Sequence, residues 1–197
     1  MEIIVIPVIP WHKDLHKEVV SAIEALRPKY VLTDCGSSDE PDDLYQIPLS
    51  KFGLFSLRNY STTIRDIEKK LGFETIELAP DYNEILEEVG EKAHVMEIIR
   101  FNMLLRKIQK AEWKTLRDFL RWLHKSFYKI DVMRGEAYAF SKKVKKMVKE
   151  LESGPIVIVC DFLMLKALIE TLGEDVKVYE NFSSEDFNVA ISVVFEG

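Results

Sequence analysis

Cysteine is scarce in this chain of 197 residues. There are two, Cys35 and Cys160, 125 positions apart, which excludes a secreted disulfide framework and a Cys-x-x-Cys zinc or redox motif. Long apolar runs are lacking as well: charges or prolines interrupt each one before the roughly 18 to 20 residues that a spanning helix needs. No integral membrane association is expected. The opening run, Glu2 to Pro10, begins on an acidic residue without a basic segment before it, so it does not read as a secretory signal. A cytoplasmic location follows as the expectation. Glycine is low, at eight residues, while 30% of the chain is charged, a balance that suits a thermophile; in such a cytosol a Cys35–Cys160 disulfide is admissible. Neither an internal repeat nor a complete catalytic motif is found.

What is present is material for a full core. At 47% hydrophobic content, the chain fits a single domain over residues 1–197. The net charge of −6 conceals a split. Between Arg100 and Lys149 stand 15 basic residues against four acidic ones, leaving 12 basic against 29 acidic elsewhere. A basic face on an acidic body can meet an anionic partner, nucleic acid or acidic protein, or the body's own acidic surface.

Hydrophobic patterning predicts the organisation. Glu2 to Ile9 is rich in Ile and Val, as in a strand covered on both faces. His12 to Leu26 places Leu15, Val19, Ile23 and Leu26 at helical spacing, and Pro28 stops that helix before a second strand, Tyr30 to Thr33. Asp34 to Gln46 reads as an acidic loop. A helix over Arg58 to Leu71, with Ser61 or Thr62 at its start, leads to a third strand, Phe73 to Ala79. Residues 81–151 are helical almost throughout, broken near Gly90, Ala111 and Asp131. In this insertion Trp113, Leu116, Leu120, Leu123, Phe127 and Ile130 form an apolar stripe, with Lys114, Arg117, Arg121 and Lys125 on another side. A strand at Ile156 to Val159, a helix closed by Gly173, and strands at Val176 to Tyr179 and Asn188 to Phe195 complete the chain. The fold class is α/β: a mostly parallel sheet with crossover helices and a helical insertion between the third strand and the carboxyl-terminal strands.

In such sheets ligands bind outside the carboxyl ends of the strands, where His12, Asp34, Cys35, Cys160 and Asp161 are expected to converge. Four chemistries compete there. His12 and His16, spaced i, i+4, suit a divalent metal if they share a helix face, with Asp34, Cys35, Cys160 or Asp161 completing the set; the alternative is that His16 is solvated and His12 only begins the helix. Asp34 and Asp161 can act as an acid and base pair, although Asp161 also suits a helix cap. Cys160 at a helix start, with His12 as base, would make a nucleophile, whereas a buried cysteine is more often a packing residue. The lysine stripe, continued by Lys142, Lys143, Lys145, Lys146 and Lys149, can contact phosphates or simply be solvated.

The order of these pieces resembles, distantly, the TraB, Tiki and erythromycin-esterase-like superfamily. There a first strand leads to Gly-x-x-His, a helix, and a second strand written Lys-Pro-Asp-x-Val before an acidic residue. Ile6-Pro7-Val8-Ile9-Pro10-Trp11-His12 and Arg27-Pro28-Lys29-Tyr30-Val31-Leu32-Thr33-Asp34 stand in those places. Arg134-Gly135-Glu136 occupies the station of a Glu-Arg pair, and Ile156 to Asp161 that of the strand before a second Gly-x-x-His. The motifs are eroded: the glycine before His12 is absent, the Glu-Arg pair is reversed and split, and Cys160-Asp161-Phe162 replaces the final histidine. The resemblance implies an α/β core with its site at the strand ends and a divergent or inactive hydrolase. His12 would be ligand or base, Asp34 and Asp161 carboxylate ligands or acids, and Arg134 and Glu136 orienting groups. A small-molecule or peptide substrate and a divalent metal are the implied ligands. The alternative is a non-enzymatic protein that holds an anionic partner, or a second copy in a homo-oligomer, through its basic helical block.

Overall fold

The computed structural model describes residues 2–35, 42–90, 94–151 and 154–196. Five strands lie parallel: β1 (Ile3–Val8), β2 (Tyr30–Thr33), β3 (Glu74–Glu77), β4 (Ile156–Asp161) and β5 (Val176–Val178), in the order β3-β2-β4-β1-β5. The three central strands are in register: Ile3 and Tyr30 both flank Ile156, and Thr33 flanks Val159. Their alternate residues feed two cores. Val5, Leu32 and Ile158 pack on one face of the sheet, Val8, Val31 and Val157 on the other. This two-sided burial explains the unbroken Ile and Val runs. The short edge strands carry charges instead, Glu74 and Glu77 on β3 and Lys177 on β5, which discourages further pairing.

Among the described residues nine α-helices connect and cover the sheet. Helix α1 (Leu15–Leu26) links β1 to β2; α2 (Asp43–Lys51) and α3 (Tyr60–Leu71) link β2 to β3. The insertion supplies α4 (Tyr82–Val89), α5 (His94–Lys110), α6 (Leu116–Phe127) and α7 (Asp131–Glu150) before β4. Asp81 starts α4 with a reciprocal capping box to Glu84. After β4 a 3-10 turn, Phe162–Met164, runs into α8 (Leu165–Leu172), and α9 (Glu185–Phe195) ends the described chain. No helix among the described residues is long and apolar enough to cross a membrane.

Two expectations fail here. The segment from Asn188 to Phe195 is helix, not strand. Val189, Ile191, Val193 and Phe195 alternate, but the buried residues are Phe187, Ala190, Ile191, Val193 and Val194, at the three- and four-residue steps of a helix, and Phe195 is exposed. Acidic Glu185 and Asp186 in the first turn mark the helix start. The acidic loop over Asp34 to Gln46 ends early, because Asp42 accepts the Leu44 amide and starts α2; positions 36–41 lie outside the described residues. A smaller correction concerns α3, which is capped by Asn59 through the Tyr60 amide rather than by Ser61 or Thr62.

Connectivity places the site. From β2 the chain leaves toward β3, and from the adjacent β4 it leaves toward β5 on the other side. Their helices α3 and α8 lie in different cores, on opposite faces of the sheet. A crevice therefore opens between the carboxyl ends of β2 and β4, the topological switch point where open α/β sheets bind ligands. The insertion roofs that crevice. Gly135 on α7 lets α4 approach closely, since a Cβ there would meet Val89 Cγ1 at 2.6 Å and the Ile85 carbonyl at 3.3 Å.

Candidate functional site

Asp34 follows the last residue of β2, and Asp161 ends β4. The two are tied together: the Asp161 amide donates to Asp34 Oδ2 at 3.1 Å. The Tyr60 hydroxyl donates to Asp34 Oδ1 at 2.7 Å. The Tyr45 hydroxyl reaches both oxygens of Asp161, at 2.7 and 2.8 Å. Asp161 Oδ1 also accepts the Leu163 amide at 2.9 Å, so the cap of the 3-10 turn and the place in the site coexist in one residue.

These carboxylates open onto a cavity of about 480 Å³, inside the range of roughly 300–1,000 Å³ common for small-molecule sites. Asp34, Asp42, Glu97, Glu136 and Asp161 all line it, with no Lys, Arg or His among the described lining residues. Apolar side chains line it as well, among them Phe101, Phe127, Ile130, Met133 and Leu163. The five acids have unequal duties. Asp42 is spent capping α2. Glu97 accepts from Arg100 at 2.6 Å and from the Asp131 amide at 2.6 Å, fixing the start of α7. Asp34 and Asp161 are braced by tyrosines. Glu136 alone accepts no hydrogen bond from any described residue.

Burial governs the electrostatics. It pushes Asp34 up to about 6, against the Tyr60 and Asp161 donors that favour its ionised form. Glu136 rises to about 7, through burial first and then the charges of Asp34 and Asp42. Asp161 is driven well above the carboxylate range by burial and by Asp34. Like charges crowded in a half-buried site cannot all ionise, so the cluster retains protons near neutrality. The Tyr45 and Tyr60 hydroxyls, raised well above their usual value by burial first and also by the nearby carboxylates, stay protonated as donors.

His12 lies elsewhere. Helix α1 begins only at Leu15, so His12 and His16 do not share a helix face. The chain turns at Ile9-Pro10-Trp11-His12, with the His12 amide on the Ile9 carbonyl at 3.3 Å and Trp11 at φ 63°, a strained conformation for a bulky residue. His12 Nδ1 accepts the Asp14 amide at 3.1 Å, which leaves the proton on Nε2 to be donated to Asp186 at 3.0 Å. Its ring meets Phe187 edge-on at 5.2 Å. His12 thus pins the start of α9 across the end of β1, and it is not among the residues lining the cavity. Burial lowers its pKa despite Asp186. The donor atoms of His12, Asp14 and Asp186 come within 4.8 Å of one another, but both ring nitrogens are engaged, so the trio as built offers a metal no free imidazole lone pair.

The remaining candidates separate as well. His16 Nδ1 lies 3.1 Å from Thr63 Oγ1 on α3. Arg134 points outward to Asp131 at 2.6 Å, half-exposed and away from the cavity. Cys160 is inside β4 rather than at a helix start, fully buried, and its thiol is raised well above the usual range. Cys35 lines the cavity, and burial lifts it to about 12. Both thiols are free and pack in different cores, so neither the nucleophile nor the disulfide arrangement is formed. The structure brings together Asp34, Glu136 and Asp161. Sequence reasoning missed Asp42, Tyr45, Tyr60 and Glu97. A buried tyrosine demands a hydroxyl partner, but which partner is a matter of tertiary geometry.

Much of the basic block is answered internally. Arg117 and Arg121 both hold Glu196, Lys142 holds Glu88, and Lys143 holds Glu84. Lys145 donates to the Thr171 carbonyl at 3.0 Å. Comparison with protein-family models, curated proteins and solved structures finds no match for the chain.

Proposed function

We propose that the protein is a hydrolase-type enzyme acting on a small molecule in the cavity, with carboxylates as its acid–base groups. Glu136 is the proton-transfer group: it lines the cavity without a hydrogen-bond partner among the described residues, and its pKa of about 7 is where a general acid or base works best near neutrality. Asp34 and Asp161, braced by Tyr60 and Tyr45, orient the substrate or polarise the attacking water. The single observation that carries this reading is that Glu136, without a hydrogen-bond partner among the described residues, shares a cavity with an acid pair at the switch point of the sheet. The TraB-like order of elements belongs to the same proposal, with the strand ends as the place of chemistry and without a role in it for His12 or Arg134.

The test pairs a titration with an assay. Carboxyl-carbon NMR should follow Glu136 titrating near 7 in the native protein. Across a panel of chromogenic esters, amides and glycosides, any turnover should fall by about a hundredfold in Glu136→Gln. Turnover unchanged in that variant refutes the assignment.

A second reading draws on a shallow groove lined by Met103, Arg106, Lys107, Lys110 and Trp122, where an anionic partner would meet cations beside an apolar surface. Binding to duplex or single-stranded nucleic acid that weakens steeply between low and moderate salt supports it; binding insensitive to salt removes it.

A further inference from the structure

We infer that the molecule held in this cavity is an organic cation: a protonated amine joined to a compact apolar body. The inference rests on the acid–base reading of the site and names its substrate class. Three features converge on it. The charged side chains among the described lining residues are all acidic, so an anionic substrate such as a phosphate or carboxylate would meet repulsion from them and no counter-charge among them. Glu136, half-buried at the cavity lining, accepts no hydrogen bond from a described residue, so its carboxylate is open to a donor brought by a ligand. Much of the remaining lining is apolar and includes two aromatic residues, Phe101 and Phe127, which suit an alkyl body and can also receive a cation on their faces.

A bare divalent ion fits less well. Such ions require several oxygens converging at roughly 2.0–2.6 Å. Among the described residues, the group whose donor atoms gather within 4.8 Å is His12, Asp14 and Asp186, outside the cavity. An ion would also leave the apolar part of the lining in contact with nothing.

Ammonium binding requires ionised carboxylates, so it is linked to pH. Among the described residues, the titratable and charged groups facing the ligand are Asp34 and Cys35 from the end of β2, Asp42 from the start of α2 and Tyr60 from α3. Glu97 with its Arg100 comes from α5, Glu136 from α7 and Asp161 from β4. Of these, Asp34 and Glu136 titrate at about 6 and about 7. A cation should therefore displace protons from them near pH 6, and displace fewer at pH 8, where they are already ionised.

The experiment is isothermal titration calorimetry of the full chain with three isosteric probes: cyclohexylmethylamine, cyclohexylmethanol and cyclohexanecarboxylate. The amine should bind at least about tenfold more tightly than the alcohol, and the carboxylate should not bind. Repeating the titration in buffers of different ionisation enthalpy should show proton release at pH 6 that shrinks at pH 8. Glu136→Gln should bring the amine toward the affinity of the alcohol, and Asp34→Asn provides a second variant if the first does not fold. Equal affinity for amine and alcohol, no amine binding, or tight magnesium binding that expels the amine overturns the inference. The wild-type comparison decides this by itself. Its failure is separable from failure of the acid–base reading: that reading falls when Glu136 titrates near its usual 4.5, whichever probe binds.

Discussion

Replacing Glu136 by glutamine should stabilise the protein at alkaline pH and leave it nearly unchanged in acid. The native state holds a proton on Glu136 up to about 7, whereas the usual carboxyl value is 4.5. Between those values the native state binds more protons than the unfolded chain, so stability declines as pH rises through the window. The full loss, reached above pH 7, amounts to about 3 kcal/mol. Glutamine keeps the shape and cannot ionise, so the variant escapes that loss. In a chain of this length a gain of about 3 kcal/mol corresponds to a Tm rise of about 6 to 12 °C. Differential scanning calorimetry at pH 4.5 and pH 8 measures it as a difference between two differences, which cancels the cost of burying the amide. If the variant and the wild type differ by the same amount at both pH values, Glu136 is not desolvated in the folded protein and the reasoning fails. A large gain at pH 8 would identify a residue that function retains at the expense of stability.

Three further outcomes follow. His124 is buried on α6 with Nε2 lacking a hydrogen-bond partner among the described residues, and burial lowers it to about 4 from 6.5. The unfolded chain then takes up the proton first as pH falls, and His124→Leu should flatten the loss of stability between pH 6.5 and 4, measured by urea midpoints; an unaltered acid limb refutes this. Gly135→Ala should destabilise by about 1–3 kcal/mol through its clash with Val89, and Val89→Ala in the same chain should restore part of the loss; no recovery would place the strain elsewhere. Finally, Cys35 and Cys160, buried and with raised pKa, should resist Ellman's reagent at pH 8 in the native state and react as two thiols after denaturation. Fast native reaction of either contradicts the packing.

The sheet was legible because its signals are local. Short apolar runs preceded by Pro28 and by Gly154-Pro155 define β2 and β4, and the helical insertion breaks close to Gly90, Ala111 and Asp131, as expected. Helix α9 was misread because Val189, Ile191 and Val193 alternate as a strand would, and only its packing against α6 and the end of β1 decides the matter. The short helix α2 hid behind an acidic stretch and an internal Pro48. At the site, Asp34 and Asp161 follow from where strands stop. The departure of His12 does not, because it depends on the Trp11 turn and on Asp186, 174 positions away. The bracing tyrosines were invisible for the same reason: a hydroxyl names its need for a partner, not the partner.

The cavity draws its floor and its ceiling from different parts of the chain. Asp34 and Asp161 belong to the sheet, while Glu97, Phe101, Phe127, Met133 and Glu136 belong to the stretch between β3 and β4. Substitutions in that stretch can reshape which guest is admitted without disturbing strand pairing. The two halves are therefore free to change at different rates, the lower one conservative and the upper one available for retuning.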